Sequence, residues 1–162
     1  MSRVQADLTL VVIALIWGST FVTVKTALDA VAPLTFVAWR FILATLFLII
    51  VFRQRAVRIT RYEWRVGGLI GLWLSAGYIF QTIGLQTTTS AKAGFITGLS
   101  VVIVPVLSTL MLRRPPGRGA IVGILAATIG LALLSLNADL AIQTGDLWVL
   151  ACAFAFALHI IS

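Results

Sequence analysis

Residues Leu147–Ser162 read LWVLACAFAFALHIIS, sixteen positions without a formal charge and with almost no polar side chain. Such a run satisfies its backbone only as a helix surrounded by lipid or protein, and a full crossing takes roughly 20 apolar residues. Here the apolar run reaches Ser162 with no polar or basic flank after it, so it is expected to be the opening of a span.

The rest of the chain has the same character. Hydrophobic residues make up 60% of the 162 positions, charged residues 10%, and the mean hydropathy is +1.10. A soluble domain carries about 25% charged residues, so this composition is that of an integral membrane protein. The formal net charge of +7 does not point to nucleic acid, because the cations fall in short clusters between apolar segments. Cys152, the single cysteine, has no partner for an internal disulfide and is expected to pack as a small hydrophobe.

Spans are predicted at 8–28, 34–52, 66–86, 91–112 and 119–136, with a sixth beginning at 147. The runs do not alternate as barrel strands do, so the fold class is all-α, a polytopic helical bundle. The connections are 29–33, the basic RQRAVRITRYEWR, a short TTTS turn, RRPPGR and NADLAIQTGD. Arg3 before an apolar run, with AVA at 30–32, has the outline of a secretory signal. The stretch is too long for one, however, and Lys25 interrupts it.

Loop charge sets the orientation. With the N-terminus inside, the cytoplasmic face receives Arg3, Arg53, Arg55, Arg58, Arg61, Arg65, Arg113, Arg114 and Arg118, while the opposite face receives Lys25 and Lys92. Nine against two predicts a cytoplasmic N-terminus in the cytoplasmic (inner) membrane and excludes dual insertion. Five spans is also an odd number. A unit of five that starts inside ends outside, so a following copy would insert upside down, as inverted repeats do.

ALIWGSTFVTVKTALDAVAPLTFVAWRFILA, from Ala14 to Ala44, resembles the opening of the EamA family of the drug/metabolite transporter superfamily. GLQTTTSAKAGFITGLSVVIVPVLSTLMLRRPP, Gly84–Pro116, resembles that family's fourth-helix signature, and TGDLWVLACAFAFALHII resembles the start of its second repeat. The resemblance implies a carrier of two inverted five-helix repeats moving small metabolites such as amino acids. It makes 1–146 the first repeat and 147–162 the first helix of the second, unfinished and lacking the four helices after it. The implied partners are a small-molecule solute, the bilayer and the second repeat.

Candidate pathway residues are polar or aromatic positions inside spans. Ser19, Thr23 and Thr26 share a helical face beside Trp17; Trp73, Gly77 and Gln81 do the same in the third span, with Tyr78 and Thr82 adjacent. Thr97 and Ser100 lie one turn apart in the fourth. Each hydroxyl has two readings, a solute contact or a bond to its own helix backbone. Gln81 carries an amide that lipid does not satisfy, so it is expected to face other helices or a wet cavity. Lys92, at a helix N-terminus, either draws a solute carboxylate or snorkels to headgroups. Arg40, well inside the second span, is an anchor or a site residue. Small residues at spacing four, Gly67/Gly71/Ser75, Gly94/Gly98 and Gly119/Gly123, are expected to let helices approach closely. Pro105 is expected to free a carbonyl near Val101.

No cofactor or metal-ligand set is read from these residues, and the chain is not expected to be an enzyme. The alternative to a carrier is an intramembrane serine protease of rhomboid type, with Ser100 as nucleophile and His159 as base. Val101 stands where that pattern continues with glycine, and Leu158 and Ile160 flank the histidine in place of small residues. A small multidrug antiporter needs a carboxylate in its first span, and none lies between Asp7 and Asp29. A non-transporting membrane scaffold is the remaining reading.

Overall fold

Helix starts are written in the local sequence. Ser2 and Thr60 each accept from the backbone N–H three residues on, Gln5 or Glu63, at 3.2 Å, and that residue's side chain returns to the cap N–H. Pro33 opens the second helix, where its missing N–H costs nothing, and Thr89 caps another by accepting from Lys92 N–H at 3.2 Å. In the computed structural model, residues 2–56, 59–113, 116–135 and 143–162 are described.

These form α1 (Arg3–Ala27), α2 (Pro33–Val51), α3 (Arg53–Ala56), α4 (Arg61–Leu85), α5 (Ser90–Gly98), α6 (Ser100–Leu112), α7 (Arg118–Ser135) and α8 (Thr144–Ile161). Among the described residues, five stretches are long and apolar enough to cross a membrane: Val4–Ala27, Pro33–Val51, Arg61–Leu85, Ser90–Met111 and Thr144–Ile161. The protein is a multi-pass, all-α membrane bundle. Its third long helix starts at Arg61 rather than 66 because the Thr60–Glu63 capping box draws the basic segment into the helix. The last starts at Thr144 rather than 147 because Asp146 Oδ2 accepts from Gln143 N–H at 2.9 Å. Arg58, Arg114, Asp139 and most of the loop before α8 lie outside the described residues.

The fourth span is interrupted at Leu99. Leu99 N–H bonds to Ile96 O at 3.1 Å, a tightened turn, and α6 then runs through Pro105. The regular α-helical hydrogen bonding is therefore interrupted for one residue, six positions before the proline and directly after Gly98, while Leu99 itself keeps right-handed helical angles.

Polarity is inverted relative to a soluble fold. Leu15 and Ile50 are 69% and 72% exposed, whereas Gln81 and Thr97 are 7% and 6% exposed. Lipid tolerates the former and leaves the latter unsatisfied. α8 is the hub: it packs along α4, α5 and α6, while α1 rests on α4 and α5, α2 on α4, and α7 on α5 and α6. Moving up α4 from Ile70 through Gly77 to Gly84, the partners on α8 fall from His159 through Phe156 to Gly145, so the two helices are antiparallel.

The close approach is not where the spacing-four stripes put it. A methyl added to Gly67, Gly71, Gly94, Gly119 or Gly123 would meet nothing within 4 Å. One added to Gly77 would lie 2.3 Å from the Phe156 ring, and one on Gly84 2.7 Å from Gly145 O. Glycines seven residues apart on α4 thus admit α8, and the core of Val24, Leu85, Ala93 and Val149 forms beside the second of them.

Candidate functional site

Between those two glycines stands Gln81. With α8 held this close, its amide Nε2 donates to Thr97 Oγ1 on α5 at 3.2 Å and to Cys152 Sγ on α8 at 3.8 Å. Three helices are joined by one buried side chain, and its Oε1 accepts from none of the described residues. Below it, Phe156 fills the space over Gly77. Its ring centroid lies 5.3 Å from Tyr78, edge-on, and 6.4 Å from Trp17 on α1. Tyr78 also meets Phe41 at 5.4 Å, and the Arg40 guanidinium carbon sits 4.6 Å from its ring centroid.

On the α1 side of this wall, Trp17, Gly18, Phe21, Gly94, Thr97 and Ser100 line an open groove of about 210 Å³. The structure therefore brings Trp17, Thr97 and Ser100 to one groove, with Gln81 and Tyr78 linked to it through Thr97 and Phe156. Trp73 is half-buried on α4 and takes no part in these ring contacts. Ser19 and Thr23 are exposed and donate to Ile16 O at 2.7 Å and Ser19 O at 3.2 Å. Thr26 likewise donates to Val22 O at 3.1 Å, so the α1 hydroxyls follow the backbone reading.

Lys92 lies at the α4–α5 turn end of the bundle, 3.8 Å from Asp146 Oδ2. The carboxylate it draws is the protein's own. Asp146 also accepts a short hydrogen bond from the Thr88 hydroxyl, and Lys25 Nζ donates to Leu85 O at 2.8 Å and Thr88 O at 2.6 Å. One polar knot thereby ties α1, the α4–α5 turn, α5 and α8, directly above the Gly84–Gly145 contact.

His159 does not serve Ser100. Its Nδ1 lies 3.1 Å from Ile70 O on α4, on the side of α8 that meets α4. Sequence reasoning missed Asp146, Phe156 and the polar role of Cys152. Asp146 had a readable signal, a carboxylate three residues into a helix. Phe156 and Cys152 had none, since only the Gly77 and Gly84 contacts select the face of α8 that turns inward.

Residues 4–136 match the EamA-like transporter family. The chain belongs to the EamA-like transporter family. It is 38% identical over 160 residues to an uncharacterized transporter of Archaeoglobus fulgidus, covering 99% of this chain and 49% of that protein. It is 25% identical over 162 residues to the uncharacterized transporter YoaV of Bacillus subtilis, covering 96% of this chain and 56% of the relative. A third relative is the S-adenosylmethionine/S-adenosylhomocysteine transporter of Chlamydia muridarum, 34% identical over 106 residues, 62% of this chain and 33% of that protein. The chain spans about half the length of the first two relatives. No solved structure matches it. Membership of this family speaks against the rhomboid-type reading of Ser100 and His159.

Proposed function

We propose that this chain forms the first half of a secondary carrier that moves a small metabolite by alternating access. In this reading 1–146 is one five-helix repeat, 147–162 opens the next, and the N-terminus is cytoplasmic in the inner membrane. The solute binds between the repeats, in the groove beside Gln81. The observation that carries the reading is the buried Gln81–Thr97–Cys152 cluster, a polar centre within the membrane zone of a fold whose surface is apolar. Intramembrane polar groups of this kind mark solute paths. The family match ending at residue 136, before α8, supports the repeat boundary.

The solute class is an amino acid or a derivative of one, in keeping with the Chlamydia relative's named substrates. The test is counterflow in vesicles containing the full-length protein, with labelled amino acids and S-adenosylmethionine as probes. Saturable exchange that falls at least tenfold in Gln81→Leu is expected, a tenfold loss corresponding to about 1.4 kcal/mol. Absence of exchange for every probe would favour the scaffold reading. Residues 1–162 alone are expected to insert but not to transport, since a path between inverted repeats needs both walls.

A further inference from the structure

Arg40 lies seven residues into α2 from Pro33, about 10 Å along the axis at 1.5 Å per residue. A guanidinium at that depth is costly unless its charge and its five N–H donors are met. Among the described residues no carboxylate pairs with it and no hydrogen-bond partner meets it, and its guanidinium carbon lies 4.6 Å from the centroid of the Tyr78 ring. A ring face attracts the charge but leaves the N–H donors open. The Tyr78 hydroxyl, on the rim of the same ring, also has no hydrogen-bond partner among the described residues. Two unmet donors of different types thus sit side by side on α2 and α4.

Their surroundings are equally specific. Tyr78 is held edge-on between Phe41 and Phe156, and Phe156 is pinned over Gly77 and leads to Trp17 at the groove. Gln81 is the next residue along the same face of α4, three positions on. The Lys92 ammonium, by contrast, is already paired with Asp146 of α8.

We propose that Arg40 and Tyr78 form an oxyanion subsite of the solute path, taking the carboxylate of a solute whose apolar part lies against the Tyr78–Phe156–Trp17 wall. Arg40 supplies paired N–H donors to the two oxygens, a geometry that suits guanidinium better than ammonium, and the Tyr78 hydroxyl supplies a third. The subsite rests on the carrier reading and narrows its substrate class. The same donors suit a lipid phosphate, so the test separates the two sources.

The full-length protein is placed in vesicles of digalactosyldiacylglycerol, which carries no phosphate. It is then treated with phenylglyoxal, which condenses with free guanidinium groups, and modification of Arg40 is read by peptide mass spectrometry. Benzoate is expected to slow modification about tenfold and its neutral isostere benzamide not at all. Tyr78→Phe, which keeps the ring and loses the hydroxyl, is expected to lose several-fold of that protection. Equal rates with and without benzoate would overturn the subsite. So would protection that appears only when phosphatidylglycerol is added, since Arg40 is then a headgroup anchor. Counterflow in the same vesicles separates the two ideas. Unprotected Arg40 in a protein that still exchanges solute sinks the subsite alone, and protected Arg40 without exchange leaves a carboxylate-binding site but sinks the carrier reading and with it the site's place on a solute path.

Discussion

The Asp146 carboxylate of α8 lies 3.8 Å from the Lys92 ammonium of α5, and both side chains are almost buried, at 13% and 11% exposure respectively. Around it, Thr88, Lys25 and the end of α4 complete the hydrogen bonding. A charge buried this far is tolerated because it is paired, and removing one partner leaves the other uncompensated, at about 3–5 kcal/mol.

Asp146→Ala is therefore expected to lower the thermal midpoint of the purified protein substantially. The double variant Lys92→Met/Asp146→Leu is expected to recover most of the loss, because a packed apolar pair replaces the ions without leaving a lone charge. The two midpoints, read by tryptophan fluorescence in detergent, decide the matter. A double variant as unstable as the single one would mean that Asp146 acts through Thr88 and the Gln143 cap rather than through Lys92.

Gly77 and Gly67 lie on the same helix and predict opposite responses. A Cβ on Gly77 would stand 2.3 Å from a buried Phe156 ring, so Gly77→Ala forces α8 outward at about 1–3 kcal/mol. Gly67 has open space, so Gly67→Ala is expected to be neutral or to stabilise, by up to about 1 kcal/mol of helix preference. Phe156→Leu should partly rescue Gly77→Ala. Equal destabilisation by both single alanines would contradict the antiparallel α4–α8 contact.

Those two glycines also show how far the sequence could be read. Hydropathy marked the long apolar helices because lipid imposes one requirement on every span, and it placed Gln81 inside because an amide has no partner in lipid. It did not say which glycines meet a neighbour. Gly67, Gly71, Gly77 and Gly84 are alike as letters, and only the path of α8 distinguishes them. The α1 hydroxyls were ambiguous for the opposite reason: Ser19 and Thr23 satisfy themselves locally, so their presence carries no tertiary information. Lys92 misled because its partner, Asp146, is 54 positions away in sequence and adjacent only once α5 and α8 pack.

Cys152 offers a probe of the buried cluster. Its thiol is fully buried and accepts from Gln81, so in the folded protein a maleimide is expected to react at least a hundredfold slower than in denaturant, about 2.7 kcal/mol of protection. Gln81→Ala opens space beside the sulfur and should speed labelling, whereas Ser19→Ala, on the exposed face of α1, should not. Rapid labelling of the unaltered protein would mean that α8 leaves α4 often, and the cluster would then be no fixed part of a solute path.

The orientation can be checked with the same residue removed. Nine loop or flanking arginines on one side against two lysines on the other are expected to hold the Arg53–Arg65 segment in the cytoplasm and the Asn137–Asp146 segment outside. In that proposed orientation the polar knot of Lys25, Thr88, Lys92 and Asp146 lies at the external end of the bundle. In a Cys152→Ser background, single cysteines at positions 58 and 141 are treated with a membrane-impermeant maleimide on intact cells. Position 141 is expected to label at once and position 58 only after permeabilisation. The reverse pattern would turn the molecule over, put the knot at the cytoplasmic mouth, and make the groove between α1 and α5 part of an outward-facing path.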